Sequence, residues 1–125
     1  MILADASIII HFWRNPTDEV KKVFIQNQVF ISGVTRAELY HGAKDKNQLL
    51  KIQNALNDFN EVPVNQNTWE NFGVNLFTLK SNGITVPFQD ALLATLAIEN
   101  DLQVWTLDNH FRIMQLVLSE LKLFS

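Results

Sequence analysis

Residues 88–100 read FQDALLATLAIEN, and after Asp101 and Leu102 the chain continues as QVWT at 103–106. The first stretch is apolar on nearly all sides, which predicts a helix buried inside the molecule and not one lying on its surface. The second stretch reads as a strand. Helix followed by strand is the repeating unit, and it can be traced outward in both directions. Toward the N-terminus, Trp69, Phe72, Leu76 and Leu79 recur at helical spacing. They predict the buried face of a helix through Lys80, capped by Asn67 with Glu70 and stopped at Asn82-Gly83. Glu61–Val64 is a short strand candidate. Leu49, Ile52, Leu56 and Phe59 define another helix, and Ser32-Gly33 leads into one through Thr35–Ala43. Val29-Phe30-Ile31, β-branched and aromatic, predicts a strand. Val20, Val23 and Phe24 lie on a helix that Thr17 or Asp18 can cap. Residues 6–13 predict a helical turn or two ended by Asn15-Pro16, and Ile2-Leu3-Ala4 a buried strand. Toward the C-terminus, Asn109–Leu121 is predicted helical and Leu123-Phe124 a last short strand. Strands alternating with helices predict an α/β sandwich, a central mostly parallel sheet flanked by helices.

A chain of 125 residues has room for one core, so residues 1–125 are expected to form a single domain. With 47% hydrophobic and 18% charged residues it should fold as a globular protein. It has no cysteine, which removes disulfides and thiolate metal sites and suits a cytoplasmic protein. Asp5 interrupts the apolar N-terminal stretch and no basic residue precedes it, so it makes a poor signal peptide. No apolar run approaches the ~18 residues needed to span a membrane, and a soluble protein is expected. The net charge of −3 runs against the basic footprint of a nucleic-acid binder. Setting aside four of the thirteen acids as site carboxylates leaves nine against ten Lys and Arg. Bound divalent cations would then supply positive charge where it matters.

Four acids are the candidates for such a site. Asp5 directly follows the first strand, and Asp108 lies just beyond the strand around Val104-Trp105. In open α/β sheets, ligands bind outside the carboxyl ends of the strands. Asp90 opens the buried helix, with Ala94 and Ala97 following on the same face, a stripe that lets another backbone approach. Glu38 sits mid-helix, one turn after Val34 and beside Ala37, and is expected to look inward. Each acid also has a plainer explanation. Asp5, Asp90 and Asp108 stand at or near helix starts, where a carboxylate caps free N–H groups and favours the dipole. Glu38 cannot be an N-cap; its plain alternative is a salt bridge to a lysine. Several acids in apolar surroundings suggest that a cation collects them, because a solitary buried carboxylate is costly. An oxygen-only set without cysteine points to Mg²⁺ or Mn²⁺ more than to Zn²⁺.

At these same residues the sequence resembles the PIN-domain family and, within it, the VapC-type toxins of toxin–antitoxin pairs. Four segments carry the likeness: Ile2-Leu3-Ala4-Asp5-Ala6-Ser7; Ile31-Ser32 through Thr35-Arg36-Ala37-Glu38-Leu39-Tyr40-His41-Gly42; Asp90-Ala91-Leu92-Leu93-Ala94 with Ala97; and Thr106-Leu107-Asp108-Asn109-His110-Phe111. The resemblance implies a PIN-like fold over the whole chain and an acidic quartet of Asp5, Glu38, Asp90 and Asp108. Ser7 matches the small hydroxyl residue after the first acid, and Thr106 and His110 join it as supporting residues. Two positions depart from the pattern. Ala6 stands where members often have threonine, and His110 where many carry another acid before the phenylalanine.

What the resemblance implies is a metal-dependent endoribonuclease, with Mg²⁺ or Mn²⁺ held by the quartet and RNA cut to leave a 5′-phosphate and a 3′-hydroxyl. Asp5, Asp90 and Asp108 would be direct or water-mediated ligands, and Glu38 a ligand or the orienter of the attacking water. The implied partners are an RNA substrate, a small cognate antitoxin and a second copy of the chain in a homodimer, with no membrane. Phe12-Trp13 and the helix near Val23-Phe24 are candidate contact surfaces. Trp13, Trp69 and Trp105 are assigned to core or interface packing, His11 to packing within its helix, and His41 to the surface or the site's margin. Three rivals stand against this reading. A catalytically silent PIN-fold module for RNA or protein binding would make the intact quartet superfluous. A phosphotransferase using Asp5 would be expected to show an Asp-x-Asp pair, and position 7 is serine. A receiver-type domain would need an adjacent acidic pair and a lysine partner.

Overall fold

The computed structural model describes residues 1–125. The elements run β1 (Ile2–Ala4), α1 (Ala6–Arg14), α2 (Asp18–Gln26), β2 (Val29–Ser32), α3 (Gly33–His41), α4 (Lys46–Leu56), β3 (Asn60–Val62), α5 (Gln66–Ser81), α6 (Phe88–Glu99), β4 (Gln103–Trp105), α7 (His110–Gln115) and β5 (Lys122–Leu123). The five strands form one sheet in the order β3-β2-β1-β4-β5. Every pairing is parallel: Ile2 faces Val29 on one side and Gln103 on the other. Strand order reverses at β1, which has β2 on one flank and β4 on the other. The carboxyl ends of β1 and β4 therefore bound the crevice in which this class of sheet places its ligands.

The central strand is wholly apolar and fully buried at Ile2, Leu3 and Ala4, as a strand covered on both faces must be. Leu3 and Val104 point to one core with α5, α6 and α7, where Phe111, Met114, Leu79 and Leu96 are sealed from solvent. Ile2, Ala4 and Trp105 point to the other core, with α1 to α4. Here the packing is aromatic: Phe24 lies 4.8 Å from Phe12, 5.1 Å from Trp105 and 5.9 Å from Phe59, centroid to centroid. Phe12 and Phe24 thus spend much of their surface inward, and Trp13 and Ile25 carry the exposed apolar area of these helices. α6 is buried from Asp90 to Ala97 without a break, as its composition predicts.

Three local expectations are corrected. The cap of α5 is Asn65 and not Asn67. Asn65 accepts from the Thr68 amide at 3.0 Å while the Thr68 hydroxyl accepts from the Asn65 amide at 3.2 Å, a reciprocal box two residues earlier. Trp69 is 56% exposed, because the inward face of α5 is Thr68, Phe72, Asn75, Leu76 and Leu79. Its polar members are bound to α6, Asn75 to Thr95 at 2.9 Å and Thr68 to Glu99 at 2.9 Å. Apolar periodicity alone misplaces a face that contains such pairs. Finally, α7 ends at Gln115 and the chain leaves in tight turns, with Val117 N–H donating to the Met114 carbonyl and the Gln115 side chain donating to the Leu121 carbonyl. The stop of α5 is as expected. Gly83 takes a positive φ of 73°, and the Ile84 and Gly83 amides reach back to the Leu79 and Lys80 carbonyls, closing the helix end.

Candidate metal centre

Asp5 leaves β1 with its amide still in the sheet ladder, donating to the Trp105 carbonyl at 2.9 Å. Its carboxylate is almost fully bonded. Oδ1 accepts from the Ala6 amide at 2.8 Å, so Asp5 caps α1. Oδ2 accepts from Ser7 at 2.9 Å and from Thr106 at 2.8 Å. A hydroxyl has one proton, so with both protons spent on Asp5 the 3.2 Å approach of Ser7 Oγ to Thr106 Oγ1 is no third bond. The two hydroxyl oxygens are instead acceptors, Ser7 for the Leu107 amide at 3.1 Å and Thr106 for the Asp108 amide at 2.9 Å. Ser7 and Thr106 therefore couple the end of β1 to the loop that carries Asp108.

That loop folds back on itself. Asp108 Oδ1 accepts from the His110 amide at 3.0 Å, fixing the carboxylate at the start of α7. The His110 ring reaches both remaining aspartates, with Nδ1 2.7 Å from Asp90 Oδ2 and 3.1 Å from Asp108 Oδ1. Donor atoms of Asp90, Asp108 and His110 all lie within 4.8 Å of one another. Asp90 comes to this point in the first turn of α6, whose own cap is Pro87 with no side-chain bond. Capping accounts for part of Asp5 and Asp108 and for none of Asp90.

Asp5 and Glu38 stand outside that tight trio but within its field. The Asp90 carboxyl is pushed above its ordinary value, first by burial and then by the charges of Asp5 and Asp108, against the opposing hydrogen bond from His110. Glu38 is also pushed up, first by desolvation of its carboxyl and then by Asp5 and Asp90. His110 is raised chiefly by its bond to Asp90. Glu38 as a residue is exposed, which corrects the expectation that it looks inward: it lies on the open rim of the cluster. It makes no salt bridge, and neither does any Lys or Arg with Asp5, Asp90 or Asp108. Arg36 is engaged elsewhere, with Glu61 and the Tyr40 hydroxyl at 3.0 Å each. Sequence reasoning passed over Arg14. It lines a groove of about 330 Å³ with Trp13, Gln48, Ile52 and Glu38 itself, and its one sequence cue is that it closes the helix that Asp5 opens.

The donor set fits a hard divalent cation: carboxylate oxygens, one imidazole and no thiolate, partly open to water.

Fold and cluster together define a parallel α/β protein with an acidic site at the point where strand order reverses. The chain belongs to the PIN domain family, whose model matches residues 2–115. No curated protein matches it significantly. Among solved structures it is similar to VapBC-1 from nontypeable Haemophilus influenzae, at 21% identity and a TM-score of 0.86 over 100% of this chain and 98% of that one. It is also similar to VapBC2 from Rickettsia felis bound to a promoter DNA fragment, at 20% identity and a TM-score of 0.83 over 99% and 98% of the two chains. A toxin–antitoxin complex from Klebsiella pneumoniae matches at 23% identity and a TM-score of 0.69 over 87% and 88%. The all-parallel sheet flanked by helices is the fold these structures share with it.

Proposed function

We propose that the chain is a metal-dependent endoribonuclease and the toxin of a toxin–antitoxin pair, with Asp5, Glu38, Asp90 and Asp108 as its acidic site. One observation carries the chemistry. Carboxylates are gathered at the switch point, where burial first and then the neighbouring negative charges raise Glu38 and Asp90, with one histidine and no lysine or arginine to neutralise them. Such an arrangement costs stability unless a cation joins it, and perturbed carboxylates in a cleft mark functional sites. The role in a toxin pair is supported by the VapBC and toxin–antitoxin structures that share the fold.

A divalent cation bound here would acidify water and neutralise charge on a phosphodiester. Asp5, Asp90 and Asp108 would hold it. Asp5 is pre-oriented for this by its three hydrogen bonds. Glu38, on the open rim of the cluster and without an ion pair, orients the attacking water and takes its proton. Arg14, in the groove beside Glu38, meets the RNA backbone. Ser7 and Thr106 hold Asp5, and the protein acts with a small antitoxin and as a homodimer.

Incubating the purified chain with end-labelled RNA tests this. Cleavage with Mg²⁺ or Mn²⁺ is expected, with loss on chelation and 5′-phosphate products. Asp90→Ala is the cleanest variant because Asp90 caps nothing; it should melt cooperatively and lose cleavage by about 10²- to 10³-fold, the scale of a removed charge-stabilising group. Full activity in folded Asp90→Ala, or cleavage that survives chelation, would overturn the proposal.

A further inference from the structure

We infer that His110 is a nitrogen ligand to the cation that Asp90 and Asp108 hold, turning an otherwise all-oxygen site toward transition-metal ions and away from magnesium. The inference rests on the metal-site reading above and adds a ligand and a selectivity to it.

The geometry comes first. The Nδ1 atom lies 2.7 Å from one carboxylate and 3.1 Å from another, and these come from different elements, α6 and the turn before α7. A ring nitrogen has at most one proton to give, so it cannot serve both oxygens as a well-aligned donor. Asp108 Oδ1, moreover, already receives the His110 amide. The two separations about Nδ1 match neighbouring ligands of one ion, since octahedral metal–ligand bonds of about 2.1 Å set adjacent donors about 3 Å apart, and donor atoms of all three residues lie within 4.8 Å of one another. The short helix that carries the ring is anchored, because its Phe111 and Met114 are completely buried. The ring itself is partly open to solvent. The side chains of His110 and Asp108 are 40% and 35% exposed, against 10% for Asp90, which leaves room for an ion that keeps several waters.

The selectivity follows from donor chemistry. Carboxylate, carbonyl and water suit Mg²⁺ and Mn²⁺ alike, whereas a nitrogen donor adds affinity along the first-row transition series, least at Mn²⁺ and more at Co²⁺ and Ni²⁺. A histidine at this place adds affinity for Mn²⁺ or Co²⁺ and little for Mg²⁺. If the ring were only a hydrogen-bonded brace for Asp90, its removal would weaken all three ions alike.

The test is calorimetric titration of the metal-free full chain with MnCl₂ and with MgCl₂, using wild type, His110→Ala and His110→Asp. His110→Ala is expected to weaken Mn²⁺ by at least 10- to 100-fold, the loss already typical of outer-shell partners, and to change Mg²⁺ by less than about threefold on the same ground. His110→Asp, which restores an acid, should narrow the Mn²⁺ preference by improving Mg²⁺. Co²⁺-loaded wild type should show a paramagnetically shifted imidazole proton signal that is missing in both variants. Equal losses for the two ions, or no shifted imidazole signal, would overturn the inference. If wild type binds Mn²⁺ and Mg²⁺ through Asp90 while His110→Ala changes neither, His110 ligation is wrong and the nuclease reading stands. If wild type binds no divalent ion, both fall.

Discussion

The two sides of the carboxylate cluster are built on opposite principles. On the β1 side, Asp5 has three hydrogen bonds from an amide and two hydroxyls, and those hydroxyls are themselves satisfied by amides. On the α3 and α6 side, Glu38 has no partner and Asp90 has only His110. Both of those carboxyls are raised by burial and by neighbouring charge. The difference separates two tasks that a single cluster must perform. One corner is finished by the protein alone; the other is left electrically incomplete, as the proposed cation site requires.

The strongest way to break this contrast is to undo the finished corner. Thr106→Val removes a donor to Asp5 and the acceptor for the Asp108 amide. Leaving such groups unpaired should cost about 1–3 kcal/mol, read by urea denaturation. Loss of a supporting partner should lower cleavage about 10- to 100-fold. Thr106→Ser keeps the hydroxyl and should recover most of both; a serine variant as poor as valine would show that packing of the methyl, and not the bond network, matters. Arg14→Ala probes the approach to the incomplete side. It should raise KM about threefold to tenfold with little change in kcat and flatten the salt dependence of RNA binding by about one phosphate contact. A fall confined to kcat would remove Arg14 from substrate binding.

The smallest effect is the most direct measure of the contrast. Glu38 and Asp90 titrate above their ordinary values, so the folded state holds those protons more tightly than the unfolded chain. The stability tied to them is complete at pH below the ordinary carboxylate range and is lost as pH rises through the raised values. His110, also raised, acts in the same direction. Glu38→Gln should therefore melt higher than wild type at neutral pH in chelator, by about 2 °C for roughly 0.5 kcal/mol after solvent screening. The gain should shrink toward acidic pH and reverse sign when Mn²⁺ is added. Equal melting of the two proteins in chelator at every pH would mean that Glu38 carries no strain.

The alternation of strands and helices was legible because β1, β2 and β4 are short, largely apolar runs and α6 is apolar all round. The mostly parallel sheet followed from that alternation, but the strand order needed the structure, since nothing local in Val29–Ser32 or Gln103–Trp105 says which neighbour each will choose. Asp5, Asp90 and Asp108 were legible by position, at strand ends and helix starts, and Glu38 as an acid inside a helix that no cap explains. Their unequal chemistry was not. Ser7 and Thr106 meet across 99 positions of sequence, and the exposure of Glu38 depends on how α3 rolls against α1. Trp69 shows the same limit in the core, where buried Thr68 and its bond to Glu99 turn α5 by one residue.

The bond from Thr106 to Asp5 spans 101 residues, and this has a consequence in time. On a ribosome adding about 5–20 residues per second, the first acid waits roughly 5–20 s for its counterpart to be made. β1 also lacks its β4 neighbour throughout that interval, so shorter nascent chains have neither the central pairing nor the assembled cluster. Under the proposed function, cleavage would therefore have to wait until β4 and the loop after it have been made.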